Sequence, residues 1–454
     1  MSSAGTYADL VFLGGQVVTV DAEFSAASAL AVTGGIITVV GGRGDVAPLV
    51  GPGTRVIDLR GATLLPGIND SHLHGCAFGM ATPPLSLDVG HPAVTSLAEV
   101  AQAVARAVGR IPAGQWITGH GWDPGYLDEC VADPSRLPSR RDLDRAGPNH
   151  PVVLYSFSGH ATWVNSKALE LIGLIGIDRD TVAPPGGAVV VDAAGEPTGL
   201  LHEGAQALVQ HALPPLSRQE RTDAVRSALA TLATLGVTSY TEPGLGPGGD
   251  GIMRGALGSQ TLDVYRQLLA DGELTARVGV LLLPTGMAGT AGEFARTLAG
   301  LDRSGAADPR RLAVHGVKIF ADGIVPNKTS GVHDPYVGGG CGSLCVGGAT
   351  DAERTAEIAA MVRHAHSAGY QVGVHVTGDR ACDAVADALA DAVAAHPRPD
   401  ARHYLIHGDL LTAHSMKVLA AHGFGASRTC WTRWASRTGW RSACSTRRAG
   451  TSAC

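Results

Sequence analysis

Two histidines separated by a single residue, His72 and His74, follow the largely apolar stretch 63–69. In an extended chain, side chains at positions i and i+2 point to the same side. Both imidazoles can therefore reach one metal ion at the carboxyl end of a strand, where barrel enzymes carry their active sites. A polar surface turn that happens to contain two histidines explains this pair equally well.

Three further residues lie late in separate apolar stretches. Lys318 lies near the end of 312–320, His375 near the end of 370–376, and His407 at the end of 402–407. Each residue alone is more typical of a structural position, because a buried histidine or lysine is usually paired. Four chemically reactive features at the ends of four strands are hard to explain as coincidence, and together they predict a metal centre.

The elements that must position these residues alternate between apolar strands and alanine-rich helical stretches from residue 63 onward. This alternation predicts an α/β fold, a (β/α)₈ TIM-type barrel. Seven candidate strands are present where a closed barrel needs eight, so the last strand is expected to be missing. They are 63–69, 235–242, 276–284, 312–320, 370–376, 402–407 and 421–427. The stretch 78–230 is too long for one connection and is expected to hold inserted structure, including 115–119 and 151–155.

Two flanking regions differ from the predicted barrel domain, 63–426. Residues 1–62 contain short apolar runs separated by glycine turns, which predicts a small β-sandwich-like domain. The tail, 427–454, has six Arg, three Trp and three Cys but no Asp, Glu, Val, Ile or Leu. Such a segment cannot supply a buried strand. We hypothesise a shifted reading frame and an early end near residue 427; a genuine basic tail is the alternative.

The charge pattern excludes several classes of partner. Net charge is −6, and no basic stripe with interleaved aromatic residues indicates nucleic-acid binding. The first residues lack the basic and apolar segments of a signal peptide, and no apolar run reaches the roughly 18 residues of a membrane span. We therefore expect a cytoplasmic protein with neither membrane nor nucleic-acid partners, and a homodimer is compatible with this interpretation.

Several longer motifs extend the pattern beyond the two histidines. They are Pro-Gly-x-x-Asp-x-His-x-His at 66–74, Gly-His-Ala-Thr-Trp-Val-Asn-Ser at 159–166, Glu-Pro-Thr-Gly-Leu-Leu-His-Glu at 196–203, Val-Lys-Ile-Phe-Ala-Asp-Gly at 317–323, Gly-Asp-Arg-Ala at 378–381 and His-Gly at 407–408. Their combination resembles the amidohydrolase superfamily, in particular the branch similar to N-substituted formamide deformylase. The resemblance covers about residues 8–426.

This resemblance implies a ligand set and a reaction. His72 and His74 would bind one zinc-type metal, Lys318, often carboxylated in the family, would bridge to a second, and His375 and His407 would complete the set. Lys318, His375 and His407 are also the implied catalytic residues. One or two Zn²⁺ ions, or another divalent metal, would activate water to hydrolyse the C–N bond of a small amide, formamide or cyclic amide.

One departure from the family leaves an alternative function open. The family uses an aspartate on strand eight to take the proton from the attacking water, but no acidic residue follows Asp409 in this chain. The alternative is a catalytically inactive, truncated product that retains only partial metal binding. A non-enzymatic metal-binding protein has no independent support.

Six other residues receive weaker assignments. His160, Trp163 and Asn165 either line the substrate site or mark a capped helix start at Asn165, since Asn is a common N-cap residue. Glu203 and Asp322 match family positions and are further candidates for substrate binding. Asp379 is expected to orient His375 from behind.

Overall fold

The computed structural model describes residues 7–175, 187–303, 307–337 and 339–427. Its contacts divide the chain into a unit that ends at Asn69 and a larger unit that begins at Asp70. The tail beyond Ser427, and with it the hypothesis of a shifted reading frame, lies outside the described residues.

The smaller unit is built from short strands. Two sheets have the orders β5-β4-β1-β6 and β3-β2-β7. Apolar side chains of the first sheet and of the helix α1 bury a small core around Val11, Ala31 and Val46. The elements are β1 (Leu10–Leu13), β2 (Gln16–Val18), β3 (Ala26–Ala27), β4 (Ala29–Thr33), β5 (Ile36–Gly41), α1 (Arg43–Val46), β6 (Arg55–Asp58) and β7 (Thr63–Leu64).

The predicted first barrel strand, 63–69, is divided in the structure. Thr63 and Leu64 pair with β2 of the small unit, whereas β8 (Ile68–Asp70) belongs to the seven-stranded sheet. Pro66 lies between the two pieces and has no backbone N–H to donate to a ladder, so one continuous strand is disfavoured there.

The inserted structure expected within 78–230 is a six-stranded sheet of order β13-β14-β12-β11-β10-β9. The segments 115–119 and 151–155 contain the starts of two of its strands. Leu154 and Trp163 pack on one face, and Val153 and Val164 on the other, so both faces are buried. The elements are α2 (Gly75–Ala81), β9 (Leu87–Asp88), α3 (Leu97–Val108), β10 (Ile117–Trp122), α4 (Asp128–Ala132), α5 (Arg140–Asp144), β11 (Val152–Ser156), β12 (Ala161–Val164), α6 (Ser166–Leu171), β13 (Gly187–Val191), β14 (Pro197–Glu203) and α7 (Gln206–Ala212).

The seven-stranded sheet has the order β8-β15-β16-β17-β18-β19-β20, which follows the chain. Neighbours from β15 to β20 are parallel, and helices connect them as in a barrel. These elements are α8 (Arg218–Thr234), β15 (Val237–Leu245), α9 (Ser259–Ala270), β16 (Arg277–Leu282), α10 (Ala291–Gly300), β17 (Leu312–Phe320), α11 (Asp351–Ser367), β18 (Gln371–Val376), α12 (Asp379–Ala395), β19 (Tyr404–His407), α13 (Ala413–His422) and β20 (Gly425–Ser427).

The sheet is curled, since its two edge strands approach each other. Ser71, just after β8, lies 3.0 Å (Oγ to Oγ) from Ser427 at the end of β20. The fold is therefore α/β with a curled parallel sheet. An eighth strand would fall beyond Ser427, outside the described residues, so the closed (β/α)₈ barrel stays a prediction. None of the helices that the structure describes is both long and apolar enough to cross a bilayer.

Candidate metal centre

The five predicted ligands come from four strands of the curled sheet. His72 and His74 follow β8, Lys318 lies in β17, His375 in β18, and His407 is the last residue of β19. Parallel register sets Phe320 beside His375 and Val376 beside His407. All five residues therefore lie at the carboxyl edge of the sheet, the edge at which barrel enzymes carry their active sites.

Distances between the rings show that these side chains form one cluster. The His72 ring lies 5.3 Å from that of His74 and 4.9 Å from that of His407, and the His375 and His407 rings are 4.7 Å apart, centroid to centroid. Lys318 is only 1% exposed, and its charge acts on His72, His375 and His407. The structure thus brings together the residues that the sequence marked at separate strand ends.

Burial keeps the imidazoles of His72, His375 and His407 uncharged. Burial first, and then the neighbouring Lys318 and histidines, lower the pKa of His72 far below its usual range. The pKa values of His375 and His407 are lowered for the same reasons, and burial lowers the pKa of Lys318 to about 7. Neutral imidazole is the form of histidine that binds metals, so the chemistry of the donor set fits a cation.

One nitrogen in the cluster also indicates a missing ligand. His72 Nδ1 is buried and has no hydrogen-bond partner among the described residues, which is costly for a polar atom unless a ligand or water satisfies it. The rings nevertheless meet edge to face. Across the described ranges, no group of three or more His, Cys, Asp or Glu side chains is arranged to hold an ion. The donors fit a metal, but their coordination geometry is not formed.

Glu242 holds one predicted ligand in place and was missed in the sequence. Its Oε1 lies 3.1 Å from His74 Nδ1, and its Oε2 accepts hydrogen bonds from the Gly75 N–H at 2.8 Å and the Tyr265 hydroxyl at 2.9 Å. His74 Nδ1–H therefore donates to the carboxylate, which leaves Nε2 for a metal. A signal was available, since Glu242 is the last residue of the predicted strand 235–242.

His375 is oriented by a backbone carbonyl. Its Nε2 lies 3.1 Å from Gly323 O, so Nε2–H donates there and Nδ1 remains as an acceptor. Asp379, which was predicted to orient His375, has its Oδ1 held by the backbone N–H groups of His333 and Arg380, so its role toward His375 stays a prediction. The carbonyl is close to the ring because β17 and β18 are neighbours, and Gly323 follows β17.

The inserted sheet contributes His160 and Glu203 to the edge of the cluster. The His160 ring lies 5.7 Å from that of His375, and its Nδ1 lies 2.7 Å from Glu203 Oε2. Glu203 Oε1 accepts from Asn327 Nδ2 at 2.8 Å and from the Thr329 hydroxyl at 2.9 Å. Burial raises the pKa of Glu203, but these hydrogen bonds and His160 outweigh it, so the net pKa is lowered.

Two predicted substrate-binding residues, Trp163 and Asn165, are not brought to the cluster. Trp163 is fully buried and its indole N–H donates to Ser139 O. Asn165 is fully buried; its Oδ1 accepts from the Val152 and Ala168 N–H groups, so the alternative of a capped helix start is the better description. Their polar groups are occupied by backbone.

Asp322, also predicted to bind substrate, is likewise held by backbone groups. Its two oxygens accept hydrogen bonds from the N–H groups of Gly331, Thr377 and Gly378, at 2.9 to 3.0 Å. It is fully buried, and burial raises its pKa to about 7 against the effect of these three donors. Asp322 therefore ties the segment around Gly331 to the end of β18 and presents no free oxygen to a substrate.

Comparisons with known proteins show the family to which the chain belongs. The model of the amidohydrolase family matches residues 55–442. The chain is 31% identical over 403 residues to the putative amidohydrolase YtcJ of Bacillus subtilis, and 30% identical over 384 residues to the N-substituted formamide deformylase of Arthrobacter pascens. These alignments cover 88% and 83% of this chain, and 69% and 65% of the two relatives.

A solved structure supports the fold. The crystal structure of an uncharacterized metal-dependent hydrolase from Pyrococcus horikoshii superposes with a TM-score of 0.64 at 22% identity, over 92% of this chain and 74% of that one. This agreement extends to nearly the whole length of the chain.

Proposed function

This chain belongs to the amidohydrolase family, with relatives in its deformylase-like branch, and on that premise we propose that it is a metal-dependent hydrolase of C–N bonds in small amides. The observation that carries the proposal is the convergence of four histidines and Lys318 at the carboxyl edge of the curled sheet. Relatives that include an N-substituted formamide deformylase support formamides as the first substrates to test.

The chain's own residues would prepare the site for the ion. Glu242 accepts the N–H of His74 Nδ1, which leaves the lone pair of His74 Nε2 for the ion. Gly323 O accepts the N–H of His375 Nε2, which leaves the lone pair of His375 Nδ1. The unpartnered Nδ1 of His72 supplies a further donor. A bound divalent ion, Zn²⁺ above all, would polarise the scissile carbonyl and lower the pKa of the attacking water towards about 7.

Lys318 would decide between one metal and two. It is buried beside imidazoles that carry no compensating negative charge, where an ammonium group is a poor ligand. Addition of CO₂ to the neutral amine, with release of one proton, would replace that cation with a carbamate anion, which could serve as a metal ligand. We therefore propose carboxylated Lys318 for a two-metal form and unmodified Lys318 for a one-metal form.

His160 would contact the substrate beside the metal. Its ring lies against His375, and its Nδ1–H is held by Glu203, which leaves Nε2 to accept a hydrogen bond or a proton. Glu203 is held in turn by Asn327 and Thr329. This arrangement fixes the imidazole in one tautomer and one orientation.

The experiment is metal analysis combined with a substrate panel. We expect the purified full chain to bind one or two zinc ions, to hydrolyse N-alkyl formamides, to lose activity with a chelator and to regain it with added zinc. A matched control is His414→Leu, since His414 is a half-exposed histidine paired with Asp387 away from the cluster. It should change neither metal content nor turnover.

Two outcomes would contradict the proposal in different ways. Stoichiometric metal without turnover of any formamide, amide or cyclic amide would favour the alternative of an inactive, metal-binding chain. Absence of bound metal at micromolar zinc would contradict both functions.

A further inference from the structure

A second polar cluster lies on the inserted sheet, away from the five predicted ligands. The His120 ring stacks on the Tyr155 ring at 4.7 Å with an angle of 18° between their planes. Ser86 Oγ lies 2.8 Å from His120 Nδ1, and the charge of Arg254 acts on both His120 and Tyr155. The two rings are therefore in contact, and Arg254 lies near enough for its charge to act on both.

Strand register places this cluster on the same face of the sheet as His160. His120 pairs with Tyr155, and Tyr155 pairs with Thr162, so their side chains point to one face. His160 precedes Thr162 by two residues and continues the ladder, because the Glu203 N–H donates to His160 O at 3.0 Å. Two strand spacings, about 10 Å in all, separate the strand of His160 from that of His120.

Two polar atoms in the cluster have no partner within the described part of the chain. The Tyr155 hydroxyl is buried in a side chain that is only 3% exposed, and Arg254 Nε is buried as well. The outer nitrogen Nη2 of Arg254 donates to Pro214 O at 3.4 Å and lies 3.8 Å from the half-exposed carboxylate of Glu220, so Nε is the guanidinium nitrogen left without an acceptor. A buried hydroxyl and a buried guanidinium nitrogen that both lack acceptors indicate a site for an acceptor that is not part of the protein.

The backbone that presents Arg254 is held in a costly conformation. Met253 and Arg254 have φ values of 49° and 57°, in the left-handed region that residues other than glycine rarely adopt. The Met253 methyl packs so close to Gly159 that a Cβ at that glycine would lie 2.9 Å from it. The strained turn therefore joins Arg254 to the residue before His160, and so links the two polar clusters.

We propose that His120, Tyr155 and Arg254 form a subsite for an anionic oxygen group, a carboxylate at the end of the substrate away from the scissile amide. This inference rests on the proposed function for the reaction, but not for the binding of the anion. The guanidinium and the phenol supply donors, Ser86 orients the His120 ring, and burial strengthens each charge-assisted hydrogen bond. The preferred substrate would be an N-acyl or N-formyl amine that carries a carboxylate several bonds from its nitrogen.

The first test measures binding without metal or turnover. Hexanoate and its neutral isostere hexanamide are titrated calorimetrically into the chelated full chain. We expect hexanoate to bind at least about tenfold more tightly than hexanamide, as a charge-assisted pair predicts. Arg254→Asn should abolish this difference, because asparagine tolerates the left-handed backbone and removes the cation, together with its contacts to Glu220 and Pro214 O. Arg226→Gln, which alters an exposed ion pair with Glu273, is the matched control and should keep it.

Tyr155→Phe separates a binding role from a packing role. Because the hydroxyl has no partner among the described residues, its removal should leave the thermal midpoint of the ligand-free chain unchanged or raise it, while hexanoate binds several-fold more weakly. A lowered midpoint with unchanged hexanoate affinity would overturn the proposal. Equal affinities for hexanoate and hexanamide in the wild-type chain would do so as well.

The second test asks whether the bound anion belongs to a substrate. N-Formyl-6-aminohexanoate and N-formylhexylamine differ only at the distal end. We expect kcat/KM to favour the carboxylate, through KM, and Arg254→Asn to reduce that ratio about tenfold. Hexanoate binding without any preference between the two formamides would overturn the substrate assignment. A chain that hydrolyses neither formamide but binds hexanoate through Arg254 would refute the proposed function alone.

Discussion

Two groups of buried histidines lie at opposite ends of the same pair of neighbouring strands, β18 and β19. At the amino ends, His366 and His403 form a pair in which every nitrogen has a partner. The Val372 N–H donates to His403 Nδ1 at 3.0 Å, His403 Nε2–H donates to His366 Nδ1 at 2.8 Å, and His366 Nε2–H donates to His396 O at 2.7 Å. A single assignment of protons satisfies all three of these hydrogen bonds.

At the carboxyl ends of the strands, the His407 ring contacts the rings of His375 and His72. Here the hydrogen bonds do not satisfy every ring nitrogen. His72 Nδ1 is buried without a partner in the described ranges, and the neighbouring Lys318 brings positive charge. His375 is as buried as His366 and His403, so burial alone does not identify a functional histidine. The unsatisfied His72 Nδ1 identifies the functional group, and it lies at the end of the strands where barrel enzymes carry their active sites.

The largest effect is expected at the carboxyl-end group. His72→Leu removes a proposed ligand, so activity should fall by about 10³-fold or more, as metal affinity and water activation are lost together. The metal-free chain should be as stable as wild type or more stable, by about 1–3 kcal/mol, because an unsatisfied buried nitrogen is removed. Turnover and urea unfolding of the chelated protein measure the two effects. A clear loss of stability would show that His72 is a packing residue.

The opposite pattern is expected at the amino-end pair. His403→Leu leaves the Val372 N–H and His366 Nδ1 unsatisfied, so the free energy of unfolding should fall by about 2–4 kcal/mol. The folded fraction should keep the metal content and kcat of the wild type, because the proposed metal site lies at the other end of the strands. Lost metal binding in a folded His403→Leu protein would remove the distinction between the two groups.

A smaller effect tests how the proposed ligand His74 is held. Glu242→Gln keeps the size of the side chain but weakens the acceptor for His74 Nδ1–H. Loss of such an orienting carboxylate typically weakens metal binding about 10–100-fold. Competition with a metal-sensitive chromophore measures the affinity. An unchanged zinc affinity would mean that Glu242 serves the packing of Tyr265 and Gly75 instead.

The smallest change from one measurement to the next is the pH dependence of stability at the amino-end pair, followed one pH unit at a time. Burial first, then His366 and Arg398, lower the pKa of His403 from 6.5 to about 3. The unfolded chain therefore binds a proton between pH 6.5 and 3 that the folded chain does not, so this contribution is fully present above pH 6.5 and is lost as the pH falls. The slope is about 1.4 kcal/mol per pH unit.

Urea unfolding of the wild type and of His403→Leu between pH 6.5 and 3 isolates the contribution of His403 to the pH dependence of stability. The Arg398 side chain, whose guanidinium donates to His366 O and Tyr370 O, and the ring of Phe424 also face the pair and remain in both proteins. Parallel stability curves for the two proteins would show that His403 does not carry the dependence.

Much of the strand pattern could be predicted from the sequence, because parallel strands buried on both faces are continuous apolar runs. Six of the predicted strands, from 235–242 to 421–427, overlap β15 to β20. The exception, 63–69, was divided at Pro66, where an apolar run alone does not reveal a lost backbone donor. The extra sheet within 78–230 was expected as inserted structure, but the pairing of its strands was not.

The sequence by itself determined which residues stand at the ends of strands: His72, His74, Lys318, His375 and His407. Strand length and polarity are local properties, so their positions could be read along the chain. Only the tertiary structure decided what each nitrogen bonds. Glu242 lies 168 residues from His74, and Gly323 lies 52 residues from His375. Hydrogen bonds act over about 3 Å whatever the separation in sequence, so a partner contributed by another strand becomes visible only when the sheet has curled and brought both residues to one edge.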